Sequence, residues 1–199
     1  MIRSSVIFQV ACLLAITWLN AGKTSAQINQ LASLSPDDRI IWLCNSNWDK
    51  DTTTQVQIDS IRQLARQLND ERLYWYTTVQ KIAIRATAQR IAKKTVTAYA
   101  NADALMETSP VESVRGGYYF MQGQFYLYEE KNFTKAFRLL FRVRNIFEKV
   151  GYANLPDAVI YLSRLGEDYY WFEDYRNAIH YLELAAKYPC DRIRQHASQ

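Results

Sequence analysis

The C-terminal half of this chain repeats itself at an interval of 42 to 43 residues, and this periodicity limits the possible folds more than any other feature. A glycine, two aromatic residues and an alanine recur in the same order and at nearly the same spacing. The first copy has Gly123, Tyr126, Phe133 and Ala136, and the second has Gly166, Tyr169, Tyr175 and Ala178. Repetition at about forty residues predicts a helical unit that buries its apolar face by stacking on its neighbours.

The composition agrees with a helical protein. Glycine and proline are scarce, at 6 and 4 of 199 residues, whereas aromatic residues make up 14%. Few helix breakers and many large side chains favour long packed helices over a β-sandwich with many turns. We therefore expect an all-α fold. An ordinary helical bundle, in which the two copies match by accident, is the alternative to a stacked array.

The second copy resembles the tetratricopeptide repeat (TPR). The matching positions are Leu165, Gly166, Tyr169, Tyr175, Ala178, Leu182, Ala185 and Pro189. In this pattern small residues let two helices approach, large ones fill the space between repeats, and the proline ends the second helix. The resemblance implies antiparallel helical hairpins stacked as a short right-handed solenoid. The family period is about 34 residues, and residues 147–157 lengthen the join here. Such stretched repeats resemble the exported TPR region of bacterial, Bacteroidota-type signalling proteins.

The TPR resemblance also implies roles for individual residues. Those expected to pack the repeats are Gly123, Tyr126, Phe133, Ala136, Gly166, Tyr169, Tyr175, Ala178 and Ala185. Those expected to line a binding groove, on the first helix of each repeat, are Phe120, Gln124, Leu127, Ile160, Ser163, Glu167 and Tyr170. The groove is expected to hold a protein or peptide partner.

The middle of the chain, 53–109, matches the repeat more weakly and is expected to form divergent helical hairpins before the two TPR-like repeats of 110–189. Apolar spacing predicts a helix over 53–68, with Val56, Ile58, Ile61, Leu64, Ala65 and Leu68 facing inward. After a tight link at Asn69–Asp70, a second helix follows from Leu73 to Ala86. A third is predicted over 88–106, with Ile91, Val96, Ala100, Ala104 and Leu105 inward. Ser109 and Pro110 are expected to start the next helix.

Residues 27–52 are expected to be an N-terminal leader with one short helix, and residues 190–199 a C-terminal tail. The stretch over 27–34 resembles a flexible leader. Ser35, followed by Pro36 and two aspartates, is a typical helix start. The apolar run over 40–44 then predicts a short buried helix, with a strand as the alternative.

The first 26 residues have the layout of a secretory signal peptide. Arg3 supplies a positive charge, an apolar run extends from Val6 to Leu19, and small residues precede a cut before Gln27. The run is short for a membrane span, which needs about 20 apolar residues. We therefore expect an exported, periplasmic or extracellular protein with no stable membrane span in its mature chain. An uncleaved N-terminal anchor is the alternative.

Charge and chemistry point away from nucleic acid and from catalysis. The formal net charge is +4, and it falls to about +2 without the first 26 residues. This near-balance gives no reason to expect a nucleic-acid partner. His180, Cys190 and His196 have no tight zinc spacing, and Gly116–Gly117 is no phosphate-binding loop. We expect no enzyme activity, metal or cofactor. Cys44 and Cys190 fit two separate thiols better than a disulfide.

The sequence thus favours a binding module, which would act alone or as the N-terminal sensory part of a larger signalling protein. A cell-envelope assembly or structural protein of helical-repeat type is the alternative. The last second helix, about 176–188, is expected to leave an apolar edge open. We expect further repeats to continue the array, as the resemblance implies, with self-association through this edge as the alternative.

Overall fold

The computed structural model describes residues 27–45, 52–91 and 95–188. Within these ranges the protein is all-helical and has no β-strand, as expected. A helix over 27–33 (α1) is followed by α2 (Pro36–Asn45), α3 (Thr52–Gln67), α4 (Glu71–Ile91), α5 (Thr95–Glu107), α6 (Glu112–Tyr128), α7 (Phe133–Val150), α8 (Ala158–Trp171) and α9 (Tyr175–Ala185). A 3-10 helix, Tyr152–Asn154, joins α7 to α8. The expected signal peptide and the tail after 188 lie outside the described residues.

The expectation of a flexible leader over 27–34 is wrong, because 27–33 is helical and Leu31 is fully buried. Arg39 of α2 ties this segment to the body of the protein. Its guanidinium donates to the carbonyl oxygens of Leu31 at 3.2 Å and Ala32 at 3.1 Å. The same group pairs with Asp70 at 3.1 Å, in the turn between α3 and α4. Local composition could not reveal a partner so distant in sequence.

The start of α2 and the link between α3 and α4 follow the sequence prediction. Ser35 Oγ accepts a hydrogen bond from the N–H of Asp38 at 3.2 Å, and the run over 40–44 is helix rather than strand. Asn69 has a positive φ of 51°, and the Asp70 carboxylate accepts from the N–H of Leu73 at 2.9 Å. A left-handed residue followed by a capping aspartate is a typical tight connection between helices.

The inward face of α3 is partly as expected. Ile58, Ile61 and Ala65 are buried, whereas Val56 is 62% exposed and Leu68 is 38% exposed. Val56 is two residues from Ile58, about 200° around the helix, so it points to solvent. Leu68 follows the last residue of α3.

The predicted inward face of α5 is wrong. The helix predicted over 88–106 is wrong at its start, because Ile91 is the last residue of α4 and α5 begins at Thr95. Val96, Ala100, Ala104 and Leu105 are exposed. Tyr99, Ala102 and Met106 face the core instead. The ring of Tyr99 packs between Tyr118 and Phe125, at centroid distances of 6.1 and 5.4 Å. One large aromatic side chain therefore sets the rotation of a helix whose other apolar residues are mostly small.

The start of α6 also differs from the prediction. The helix begins at Glu112 rather than at Pro110, with Val111 at the N-cap and no side-chain cap. Ser109 is buried, and its Oγ accepts from the N–H of Val111 at 3.3 Å. Ser109 therefore shapes the turn before the helix instead of capping the helix itself.

Helices α6 and α7 pack against each other in opposite directions. Their contacting pairs move steadily outward from the connecting turn: Tyr126 with Lys135, Gly123 with Leu140, Gly116 with Phe147, and Glu112 with Lys149. Asn132 caps α7 by accepting from the N–H of Lys135 at 3.1 Å. Gly151, with a φ of 82°, ends it, because this backbone conformation favours glycine.

Helices α8 and α9 form a second close pair. Asp174 caps α9 by accepting from the N–H of Asn177 at 3.2 Å. Gly166 of α8 faces Leu182 and the carbonyl of Ala178, both in α9. Since Ala178 is almost fully buried, two small residues allow this close approach. Pro189, expected to end α9, lies outside the described residues.

Candidate functional site

A cleft lies beside α4, α6 and α8, three helices that alternate along the chain. Its volume is about 450 Å³. Its walls are mainly apolar and aromatic, and include Tyr99, Phe120, Phe125, Tyr128, Gln124 and Arg164. Mostly apolar concave sites with a few fixed polar groups are the usual form of a ligand-binding site.

Two of the residues predicted to line a groove lie in this cleft. Phe120 is 7% exposed and its ring packs edge-on against Tyr161 at 5.0 Å. Gln124 is half-buried and donates a hydrogen bond to Asp168. Both are on α6, and they join α6 to α8 while facing the cavity.

The other predicted groove residues lie elsewhere. Leu127 is 1% exposed and belongs to the core, so it is not available to a ligand. Ile160 and Ser163 are half-buried on α8 and do not line the cleft. Glu167 is exposed and pairs with Arg164 at 2.6 Å. Tyr170 is 58% exposed, and its ring contacts Trp171 and Tyr175 near the turn between α8 and α9.

The polar side of the cleft is organised by one buried carboxylate. Asp168 is 2% exposed and accepts hydrogen bonds from Gln124 and from the Tyr128 hydroxyl. Burial raises the pKa of Asp168 above its ordinary value. Burial and this hydrogen bond also raise the pKa of Tyr128, so the phenol stays protonated as a donor. The guanidinium of Arg164 lies 5.7 Å from the Tyr128 ring centre.

Most residues predicted to pack the repeats are at helix contacts. Ala136, Ala178 and Ala185 are buried, and so are the glycines at positions 123 and 166. Tyr126 is buried, with the ammonium group of Lys135 4.0 Å from its ring centre. Tyr169 is half-buried and stacks on Tyr181 at 5.4 Å.

Phe133 and Tyr175 do not have the packing role that the TPR resemblance implies. They are 46% and 54% exposed, at the first residues of α7 and α9. Phe133 contacts the ring of Phe172 at 5.6 Å, across the two hairpin turns. Their side chains therefore extend an exposed aromatic surface instead of filling the space between helices.

Gly116 and Gly117 of α6 have a packing role that was not predicted from the sequence. A Cβ at Gly116 would lie 2.8 Å from Cδ1 of Phe147 and nearer still to Cε1. A Cβ at Gly117 would lie 2.8 Å from the hydroxyl oxygen of Tyr161. These two positions therefore let α7 and α8 approach α6. The adjacent glycines inside an apolar helical pattern were the available signal.

A buried polar cluster was also missed. Asp157, 1% exposed, accepts from the Cys44 thiol with a 3.5 Å Sγ–Oδ2 distance and from the Tyr76 hydroxyl at 3.4 Å. Burial raises the pKa of Asp157, and burial together with this carboxylate raises the pKa of Cys44. A reactive cysteine needs a lowered pKa, so this thiol is structural. Cys44 forms no disulfide with a described cysteine. The structure does not describe Cys190, so the predicted absence of a Cys44–Cys190 disulfide stays a prediction.

Other features of the described residues bear on the site. They contain no group of three or more His, Cys, Asp or Glu side chains placed to hold a metal ion. No described helix combines the length and apolar character needed to cross a membrane.

No protein-family model matches the sequence, and no curated protein or solved structure is significantly similar to it.

Proposed function

We propose that this protein is a TPR-like interaction module that binds an extended peptide or protein segment in the cleft beside α4, α6 and α8. The observation that carries the proposal is the cleft itself, which is concave, about 450 Å³ in volume and walled by aromatic side chains. Tyrosine and phenylalanine in such a cleft offer large contact areas for the apolar side chains of a peptide.

The proposed architecture is a short solenoid in which α2, α4, α6 and α8 form an inner layer and α3, α5, α7 and α9 an outer layer. Side-chain contacts between consecutive helix pairs support it. Phe120 of α6 and Phe147 of α7 both pack on Tyr161 of α8, with distances between ring centroids of 5.0 and 4.7 Å. In a TPR-like stack the first helix of each pair contacts both helices of the preceding pair.

The polar wall of the cleft supports binding with little rearrangement. Gln124 and Tyr128 are held in place by the same buried carboxylate of Asp168. Side chains that are fixed before binding lose less conformational freedom when a ligand arrives. We therefore expect the ligand to be recognised by apolar insertion into the cleft, with orientation set along this wall.

A random peptide library displayed on phage provides a probe. Peptides selected on the wild-type protein are measured by fluorescence anisotropy against Ala83→Trp, which fills the cleft from α4, where Ala83 is half-buried in its wall. The control is Ala104→Trp, at an exposed position of α5 outside the cleft. We expect at least about a tenfold loss of affinity for Ala83→Trp only. Equal binding by all three proteins would reject the cleft as the binding site.

We also propose that the protein is exported and that its mature chain begins near Gln27. The basic start, the apolar run and the small residues before this position support the proposal. N-terminal sequencing of the protein recovered from its native cell tests it. An intact Met1 in a soluble cytoplasmic fraction would contradict export, and an intact Met1 in the membrane fraction would favour an uncleaved anchor.

Within this function, the resemblance to exported TPR regions supports a role as the N-terminal sensory part of a larger signalling protein. An envelope assembly or structural role is the second candidate, and the exposed apolar residues of α9, Ile179 and Leu182, favour it. A deletion strain separates the two. Loss of a transcriptional response supports the sensory role, and loss of envelope integrity supports the assembly role.

A further inference from the structure

One face of α9 is apolar and is only partly covered by the rest of the described chain, because Leu182 packs on Gly166 and Tyr175 contacts Tyr170. Tyr175, Ile179 and Leu182 are 54%, 57% and 44% exposed. Their spacing of four and three residues puts them on one stripe of the helix. We call these three residues the α9 stripe. The flank of α9 that carries Ala178 and Ala185 is buried, so only the other flank reaches solvent.

The solvent-side flank of the stripe carries one positive and one negative side chain. Arg176 and Glu183 are both exposed. They are seven residues apart, which is about two helical turns, so they lie on the same side of the stripe. Ile179 is close to the midpoint between them.

This arrangement is complementary to itself. If a second α9 lies antiparallel to the first, residues on the same flank of the two helices face each other. With a two-fold axis near Ile179, Arg176 of each copy then faces Glu183 of the partner subunit. Two equivalent ion pairs result, on either side of a central apolar contact. A two-fold interface requires this kind of self-complementarity, whereas a contact with an unrelated protein does not.

We infer that the α9 stripe is the interface of a homodimer with antiparallel α9 helices. On the buried flank the α8 helices of the two copies approach each other near Tyr170, which is exposed and contacts Tyr175 at 5.8 Å between ring centroids. This aromatic side chain enlarges the apolar contact beyond α9. None of the three residues of the α9 stripe lines the cleft.

Light scattering and sedimentation of the purified protein test the inference. We expect the wild-type protein to be a dimer and Ile179→Asp to be a monomer, because burying an unpaired carboxylate opposes association. Val56→Asp is the matched control, since Val56 is equally exposed but lies on α3. The control is expected to remain a dimer, and circular dichroism confirms that each variant is folded. A wild-type protein that is monomeric at about 100 µM overturns the proposal, since a weaker contact is not a specific interface.

Charge exchange tests the two-fold geometry. Arg176→Glu and Glu183→Arg each place like charges opposite one another, and each is expected to raise the dimer dissociation constant about tenfold. The double variant restores both pairs in reversed orientation, so it is expected to return to within about twofold of wild type. Failure of the double variant to recover overturns the antiparallel pairing. Species that keep growing with concentration also overturn it, because they indicate an open, head-to-tail contact.

Discussion

The close approach of α6 and α7 at Gly116 leads to a quantitative prediction for Gly116→Ala. The added methyl group would lie 2.8 Å from Cδ1 of Phe147 and still nearer to Cε1, well inside normal contact distance. Phe147 cannot move easily, because it is fully buried and its ring lies 4.7 Å from that of Tyr161. The substitution must therefore displace a packed aromatic ring or separate the two helices.

Two opposing contributions set the magnitude. Replacing a glycine inside a helix with alanine favours the helix by about 1 kcal/mol. Overpacking a well-filled core destabilises by about 1–3 kcal/mol, and the rigid surroundings of Phe147 favour the upper end. We expect Gly116→Ala to lower the free energy of unfolding by about 1–2 kcal/mol. For a protein of this size, the melting temperature would fall by about 2–8 °C.

Gly123→Ala is the matched control, in the same helix and against the same partner. A Cβ at Gly123 meets Leu140 less closely, with Cδ2 at 3.1 Å and Cγ at 3.3 Å, and Leu139 at ordinary contact distance, with Cβ at 3.6 Å. A small shift of the Leu140 side chain is offset by the gain in helix propensity, so we expect a change within about 0.5 kcal/mol. Urea unfolding followed by circular dichroism measures both variants. If Gly116→Ala is as stable as wild type, or less destabilised than Gly123→Ala, the packing argument is refuted.

Three further outcomes are expected from the packing and the buried polar groups. Ala178→Leu, at the contact with Gly166, is expected to destabilise by about 1–3 kcal/mol through overpacking, and a thermal melt equal to that of wild type would count against the α8–α9 contact. Asp157→Asn tests the raised pKa of Asp157. The stabilising contribution of a group with a raised pKa is present at low pH and is lost as pH rises through its folded-state value. The Asn variant should therefore gain stability relative to wild type as the pH rises above about 4, the ordinary pKa of an aspartate, and a difference in unfolding free energy that does not change with pH would contradict this. Arg39→Met removes the partner of Asp70 in a nearly buried ion pair and is expected to destabilise by about 3 kcal/mol or more in urea unfolding, whereas little change would show that the pair is effectively solvated.

The sequence alone predicted the elements with strong local signals. The all-α class, the cap at Ser35, the link at Asn69–Asp70 and the small residues between α8 and α9 all follow from patterns within a few residues. Such features depend on the backbone preference or the size of one side chain, and distant partners do not change them.

Features that depend on distant partners could not be predicted. The Asp157 cluster joins side chains 113 and 81 residues apart in sequence, and neither spacing has a local signature. The rotation of α5 is set by Tyr99, whose aromatic neighbours are all on α6. In the candidate site, Phe120 and Gln124 were predicted to face a groove, but the cleft walls supplied by α4 and α5 were not. The repeat pattern is weak over 53–109, so these residues could not be aligned with the repeat. The cleft walls on α4 and α5 could therefore not be inferred.

The hydrogen bonds between tyrosine hydroxyls and carboxylates have a consequence for how freely the helices can turn. Asp103 of α5 accepts from Tyr118 of α6 at 2.7 Å, and Asp168 of α8 accepts from Tyr128. Apolar packing alone lets a helix rotate about its own axis with small changes in contact area, whereas a directional hydrogen bond to a carboxylate does not. Each such hydrogen bond therefore fixes the rotation of one helix relative to its neighbour. Replacing tyrosine with phenylalanine at these positions nearly preserves the side-chain volume but removes the hydrogen bond. A chain with phenylalanine at all of these positions would keep its helices but lose their fixed relative orientation.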